Sequence, residues 1–373
     1  MGRAGRVGRA PPDSGASSAV RVLVVDDSVV VRRVLARAFE TEPGIELAGT
    51  ARNGLVALDR VRELRPDVMI LDLEMPEMDG FETLRRISRT DPALPVIVLT
   101  NLSERGGTAT LDALKLGAVD FVLKPRAEDG GAFGENFVRD HLVPRLRALV
   151  PGLAPAAGSA APKDRVSPAT EVPRTSARAD HVAAVVIVTS TGGPNALAEV
   201  IAGVPGHLPV PILIVQHMPP LFTRMLAERL DRLSGAVVAE AVDGCAVCPG
   251  HVYIAPGGRH LGVQRRLGTG HDGVFTVVHD EPPENSCRPA GDVLFRSAAL
   301  AWGSSLLAVV MTGMGQDGLR GAEAVRAAGG WVLAQNEATA VVASMPGAVA
   351  SAGLADEVVP LTEIAGRILQ RIR

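Results

Sequence analysis

Three side chains suited to acyl transfer each follow an apolar run in this 373-residue chain. Ser190 stands in "VTSTGGP", directly after "VAAVVIV". His217 ends "VPILIVQH", and Asp317 lies in "MTGMGQDG", which follows "LLAVV". A serine becomes a nucleophile when an imidazole takes its proton and a carboxylate orients that imidazole. The paired glycines after Ser190 also raise a phosphate-cradling reading. A dinucleotide turn, however, needs G-x-G-x-x-G and a later acidic residue, and here only Gly192-Gly193 is present, followed by Pro194. Ser190 or Thr191 could equally cap the helix that starts near residue 193. His251, His260 and His279 are rivals for the base, but none follows an apolar run so cleanly.

A second constellation lies nearer the N-terminus. Asp26 and Asp27 end "VRVLVVDD", Asp72 ends "DVMILD", Thr100 ends "PVIVLT" and Lys124 ends "VDFVLK". Three carboxylates brought together repel one another unless a cation lies among them, and oxygen ligands of this kind suit Mg²⁺. A hydroxyl and an ammonium beside them would complement the oxygens of a phosphoryl group. Each Asp could otherwise simply cap the next helix.

Both sets need strands that end on one edge. From Val20, short apolar runs alternate with helical patterns five times, and residues 135–149 read as a last helix. That alternation predicts a parallel sheet covered on both faces, with ligands at the carboxyl ends of the strands. A second α/β pattern starts at Val182, with strands expected at 183–189, 210–216, 306–311 and 330–334. Residues 237–280 read as short strands and turns holding a hairpin beside the main sheet. The expected fold is thus two doubly wound α/β domains, at 20–149 and 182–373. The Arg-, Gly- and Ser-rich residues 1–19 read as a disordered leader. The Ala-, Pro- and Ser-rich residues 150–181 read as a linker that cannot bury enough apolar surface to order itself.

Composition excludes other classes. With 47% hydrophobic residues each half can bury a core, while a net charge of −3 and 3% aromatics argue against nucleic-acid binding. No apolar run has the length of a membrane span. An odd number of cysteines (Cys245, Cys248 and Cys287) suggests a reducing cytoplasm and small buried thiols rather than disulfides or a zinc site.

The motifs "VLVVDDSVVVRRVL", "MILDLEMPEMDG", "VIVLT" and "VDFVLKP" resemble the receiver domain of two-component response regulators, with a flavodoxin-like fold. The resemblance implies that Asp72 accepts a phosphoryl group from a histidine kinase. It implies Mg²⁺ held by Asp27, Asp72 and the backbone carbonyl of Glu74, with Asp26 acting partly through water. Thr100 and Lys124 would contact the phosphoryl oxygens, Phe121 would be the switch aromatic, and the Lys124–Pro125 bond would be cis.

"TSTGGP", "VQHMPPLFTRMLAERL", "PGHVYIAPGG", "RPAGDVLFRSAA", "MTGMGQDG" and "AQNEATAVVASMPGAV" resemble the Rossmann-like catalytic domain of the CheB-type protein-glutamate methylesterases of bacterial chemotaxis. That implies a cofactor-free hydrolysis of γ-glutamyl methyl esters on chemoreceptors, and deamidation of receptor glutamine in many relatives. Ser190, His217 and Asp317 would form the triad, with the backbone N–H groups of Thr191 and Met314 binding the oxyanion. The small Gly192 and Gly193 would let a substrate segment approach. Thr189, where the family has a smaller residue, would narrow the site. The receiver would pack on the catalytic face through its fourth helix, fourth-strand edge and fifth helix, near Phe121. Two further readings are the same chemistry in a pathway other than motility, and a phosphorylation-controlled binding protein whose esterase site is vestigial.

Overall fold

The computed structural model describes residues 19–101, 104–125, 133–150, 181–267 and 273–372. The expected leader and most of the expected linker lie outside the described residues. The first unit runs β1 (Val20–Val25), α1 (Val29–Glu40), β2 (Ile45–Ala51), α2 (Gly54–Leu64), β3 (Val68–Asp72), α3 (Gly80–Thr90), β4 (Val96–Asn101), α4 (Glu104–Lys115) and β5 (Asp120–Lys124). It closes with α5 (Glu135–Phe137), a π-helical segment (Val138–Leu142) and α6 (Val143–Leu149). The five strands pair in parallel in the order β2-β1-β3-β4-β5, the flavodoxin-like order. β3 is buried at every position, as a strand covered on both faces must be. The side chains of Ser28, Asn53 and Asp79 cap α1, α2 and α3.

The second unit contains β6 (Ala184–Thr189), α7 (Gly193–Ala202), β7 (Ile212–Gln216), α8 (Phe222–Asp231), β8 (Val237–Glu240), β9 (His251–Ile254), β10 (His260–Arg266) and β11 (Gly273–His279). It continues through α9 (Gly291–Trp302), β12 (Leu306–Val310), α10 (Leu319–Ala327), β13 (Trp331–Gln335), α11 (Ser344–Ser351), β14 (Glu357–Val359) and α12 (Leu361–Ile372). Seven strands make one parallel sheet, ordered β14-β13-β12-β6-β7-β9-β8, and β10 and β11 form a separate antiparallel hairpin. The chain leaves β6 towards β7 on one side and returns to β12 on the other, so the sheet's topological switch point lies beside β6.

Three details differ from the sequence reading. β8 and β9 join the main sheet in parallel, so only β10 and β11 are the hairpin expected in 237–280. β14 was not anticipated, because three residues carry too little pattern. Arg288–Pro289 is the only cis peptide bond among the described residues, so Lys124–Pro125 is trans. Trans is the ordinary state of an X–Pro bond.

The two units touch. One apolar cluster runs from Leu71, Val98, Leu114 and Phe121 of the first unit into Leu197, Phe222 and Leu226 of the second. α4 packs on α7 and α8.

Candidate active site and phosphoryl-acceptor site

At the carboxyl edge of the first sheet, carboxylate oxygens of Asp26, Asp27 and Asp72 lie within 4.8 Å of one another. Asp26 and Asp72 are buried, whereas Asp27 is exposed. Lys124 Nζ lies 3.0 Å from Asp26 and 3.4 Å from Asp72. Burial pushes the Asp72 carboxyl up to about 6; Lys124 opposes this, and Asp26 and Asp27 add to it. A cluster of hard oxygen donors with excess negative charge fits Mg²⁺. Glu74 lies two residues beyond β3, in the adjoining loop. Thr100 is buried at the end of β4, and its Oγ1 lies 3.3 Å from the Thr110 hydroxyl in α4. Thr110 in turn donates to the Gly106 carbonyl at 2.6 Å. The sequence reading missed Thr110, since a threonine within a helix carries no signal of its tertiary neighbour.

In the second unit, Ser190, His217 and Asp317 follow β6, β7 and β12, the strands that flank the switch point. His217 Nε2 and Asp317 Oδ2 are 2.7 Å apart. Asp317 is almost wholly buried and also accepts N–H groups from Gly291 at 2.6 Å, Asp292 at 3.0 Å and Gly318 at 3.1 Å. Burial works against its charge, but the His217 bond and these donors hold the carboxyl below its usual range. Burial likewise opposes the imidazolium; Asp317 and then Cys287 override it and hold His217 up to about 10. Among the rivals, His260 bonds the Pro282 carbonyl and receives the Ala290 N–H, far from Ser190 in role.

The serine and the histidine are not hydrogen-bonded to each other. Ser190 Oγ bonds no described residue, and His217 Nδ1 lies 3.5 Å from Cys287 Sγ. With Nε2 committed to Asp317, Nδ1 is the nitrogen left to serve as base. The Ser190 carbonyl accepts from Gln216 Nε2 at 3.0 Å and its N–H donates to Thr312 at 2.9 Å, so the nucleophile's backbone is fixed while its side chain can turn. The backbone N–H groups of Thr191 and Met314 bond none of the described residues.

Several expectations change. Thr189 is buried and donates to Gln216 Oε1 at 2.5 Å, so it braces the turn from beneath and does not narrow the site. The glycines also make room for the protein's own side chains, which leaves the expected approach of a substrate segment unaffected. A Cβ on Gly193 would lie 1.8 Å from Thr189 Oγ1, and one on Gly192, whose φ is +78°, would lie 2.7 Å from Val341. Cys245 and Cys248 are exposed, not buried, while Cys287 is half-buried against the imidazole. Asn285 and Asp292 were missed. Asn285 donates to Asp292 at 2.8 Å and to Asp317 at 3.1 Å, and Asp292 accepts the Gly318 and Gly321 N–H groups at 2.9 and 2.7 Å. The only sequence signal was an Asn and an Asp flanking "SCRPAG".

The first unit covers this site. The Gly192 N–H donates to the Val119 carbonyl at 3.0 Å, Thr191 Oγ1 to Asp120 Oδ2 at 2.7 Å, and Asn195 Nδ2 to the Leu114 carbonyl at 2.7 Å. A cleft of about 240 Å³ between the units is lined by Asp120, Phe121, Phe137, His141, Arg145 and His217, among others. α4, β5 and the last helix of the first unit therefore frame the catalytic face, with Phe121 at the contact.

Residues 22–130 match the response regulator receiver domain family, and residues 185–368 match the CheB methylesterase family. A Nocardioides protein named protein-glutamate methylesterase/protein-glutamine glutaminase is 48% identical over 95% of both chains. One of the same name from Trichodesmium erythraeum is 42% identical over 94% of this chain and 99% of its own. The crystal structure of the Thermotoga maritima CheB methylesterase catalytic domain is 44% identical over 51% of this chain and 98% of that one, with a TM-score of 0.49. With both sequence families matched in order and relatives aligned nearly end to end, the chain belongs to the protein-glutamate methylesterase/protein-glutamine glutaminase family, in which a receiver precedes a CheB methylesterase domain.

Proposed function

We propose that this chain is a phosphorylation-activated hydrolase of chemotaxis-type signalling. It removes methyl groups from γ-glutamyl methyl esters of chemoreceptors, giving glutamate and methanol, and deamidates receptor glutamine. The observation that carries the reading is the 2.7 Å His217–Asp317 pair beside Ser190 at the sheet's switch point. The reading divides the chain into a receiver (20–149), a linker (150–181) and a catalytic domain (182–373).

Ser190 Oγ attacks the ester carbonyl after rotating towards His217, whose Nδ1 takes the proton. Asp317 holds Nε2–H and stabilises the imidazolium. The N–H groups of Thr191 and Met314, bonded to none of the described residues, receive the developing oxyanion. The imidazolium then protonates the departing methanol, or ammonia when the substrate is glutamine. Water, deprotonated by the same nitrogen, releases the glutamate. Asn285 and Asp292 act through Asp317, as positioning residues.

In the receiver, Asp72 is the phosphoryl acceptor and a histidine kinase the donor. Asp26, Asp27, Asp72 and the Glu74 carbonyl would hold Mg²⁺, which neutralises phosphoryl charge when bound. Lys124 and Thr100 contact the phosphoryl oxygens. Drawing Thr100 towards the phosphoryl group removes Thr110's neighbour and loosens α4, the helix seated on α7 and α8. Receiver and catalytic face then part, and Phe121 leaves the contact. The test is methanol release from methylated receptor, with and without a phosphodonor. No release from the phosphorylated protein would overturn the reading.

A further inference from the structure

The receiver does more than stand in the way: it meets the catalytic face with the oxygens a substrate would bring. The turn joining α4 to β5 places the Val119 carbonyl on the Gly192 N–H and the Asp120 carboxylate on the Thr191 hydroxyl. Both donors belong to the two residues after the nucleophile, at the mouth of α7. The Asp120 carboxylate is itself held in place, because Arg145 Nε lies 3.2 Å from Oδ2 and the Phe121 N–H donates to Oδ1 at 2.8 Å. Its side chain is only 14% exposed, so Thr191 spends its hydroxyl on a preformed anion. The hydrolysed receptor also presents a short side chain ending in a carboxylate, and its unhydrolysed form presents an ester oxygen at the same reach.

We propose that Thr191 Oγ1 and the Gly192 N–H are substrate-reading donors, and that Val119 and Asp120 of the receiver occupy them as an internal copy of the product. The inference rests on the esterase reading and goes beyond it. Thr191 is expected to act twice in its life cycle, on Asp120 when the receiver is docked and on the receptor's carboxyl-type oxygen when it is released. A residue that belongs only to the domain contact would act once. The two possibilities separate because Thr191→Val removes the hydroxyl while keeping shape. A lone interface residue so changed would leave the released enzyme untouched.

The experiment uses the full chain, with methylated receptor in membranes as substrate and acetyl phosphate with Mg²⁺ as phosphodonor. Methanol release is read as KM and kcat. Asp120→Ala is expected to lower the KM of the unphosphorylated protein several-fold and leave the phosphorylated protein unchanged. Thr191→Val is expected to raise the KM of the phosphorylated protein by about fivefold, with kcat within about twofold, as loss of one hydrogen bond to substrate would do. Thr191→Ser, which keeps the hydroxyl, should restore the wild-type KM. If Thr191→Val does not fold by circular dichroism, Thr191→Ala carries the same comparison. An unchanged phosphorylated KM in the hydroxyl-less variant, with active wild type alongside, overturns the inference and leaves the esterase reading standing. Wild type that releases no methanol in any state overturns both.

Discussion

Phe121 of the receiver stacks on Phe222 of the catalytic domain, with ring centroids 4.7 Å apart and 20° between the planes. Phe121 ends up 8% exposed and Phe222 wholly buried, so separating the domains uncovers two aromatic faces. Such a pair contributes about 0.5–1.5 kcal/mol beyond its buried area. Phe121→Ala is therefore expected to raise unphosphorylated methanol release about tenfold, and to narrow the gap between the phosphorylated and unphosphorylated protein. Activity that stays at the wild-type level without phosphodonor would show that the stack does not hold the domains together.

Ser190→Ala is expected to lower hydrolysis by at least about 10⁴-fold without changing the melting temperature by more than a few degrees, since its Oγ bonds none of the described residues. His217→Gln should be as damaging, and Asp317→Asn nearly so, because the three act as a unit. Asp317→Asn should also lower stability, as it accepts three backbone N–H groups at 3.1 Å or less. Purified Ser190→Ala that still releases methanol at a tenth of the normal rate would dismiss the nucleophile.

Cys287 gives a pH signature. Its thiol is one of the two groups that raise the pKa of His217, behind Asp317. A base works only when deprotonated, so a raised pKa confines hydrolysis to higher pH. Removing Cys287 takes away stabilisation of the imidazolium and lowers that pKa. Cys287→Ala is thus expected to move the acid limb of the pH profile of kcat/KM to lower pH, with the plateau within about threefold. A limb that stays put or moves up would exclude the thiol as a partner of the catalytic base.

Asp72 carries the converse effect in the receiver. Its carboxyl is raised above its unfolded value, from 3.8 to about 6, so the folded state holds the proton more tightly. The ionised group therefore disfavours the folded state above about pH 6, and this cost fades as pH falls towards 4. Without Mg²⁺, Asp72→Asn should stabilise the protein at pH 7 by up to about 3 kcal/mol, read from urea unfolding. The gain should shrink between pH 6 and pH 4, and Mg²⁺ should stabilise the wild type far more than the variant. The same variant should take no label from acetyl phosphate. Equal stability of the two proteins at pH 7 in chelator would remove the charge-repulsion account.

The parts of this molecule that were readable in one dimension are those whose pattern is long and local. β3, β6, β7 and β12 are apolar runs buried on both faces, β1 is interrupted only by the partly exposed Arg21, and the polar residues that end or follow these runs mark the sheet edge. That placed Asp72, Ser190, His217 and Asp317. β8 and β9, of four residues each, read only as short strands beside the main sheet, and β14, of three, showed no pattern at all, because so short a segment carries no period. The last receiver helix was legible as a helix, but not its π segment at Val138–Leu142. Cys287, Asn285 and Asp120 stayed invisible, since each acts on a partner 32 to 71 residues away, or 70 for the thiol. The Thr189 substitution misled for the opposite reason: adjacency to Ser190 in sequence suggested a neighbour in the site, whereas alternation along β6 turns it into the core.

The apolar cluster shared by both sheets also bears on how the molecule comes apart when heated. Side chains of Leu114 and Phe121 belong to the same buried continuum as Leu197 and Phe222, so a docked receiver cannot lose its packing without stripping cover from its neighbour. Melting of the resting protein then becomes one cooperative event, although two sheets are involved. On the proposed release of the receiver each domain would keep only its own interior, and the heat-capacity trace is expected to divide into two peaks. The signalling state of the protein would in that sense be written in its calorimetry, as the number of cooperative units it contains.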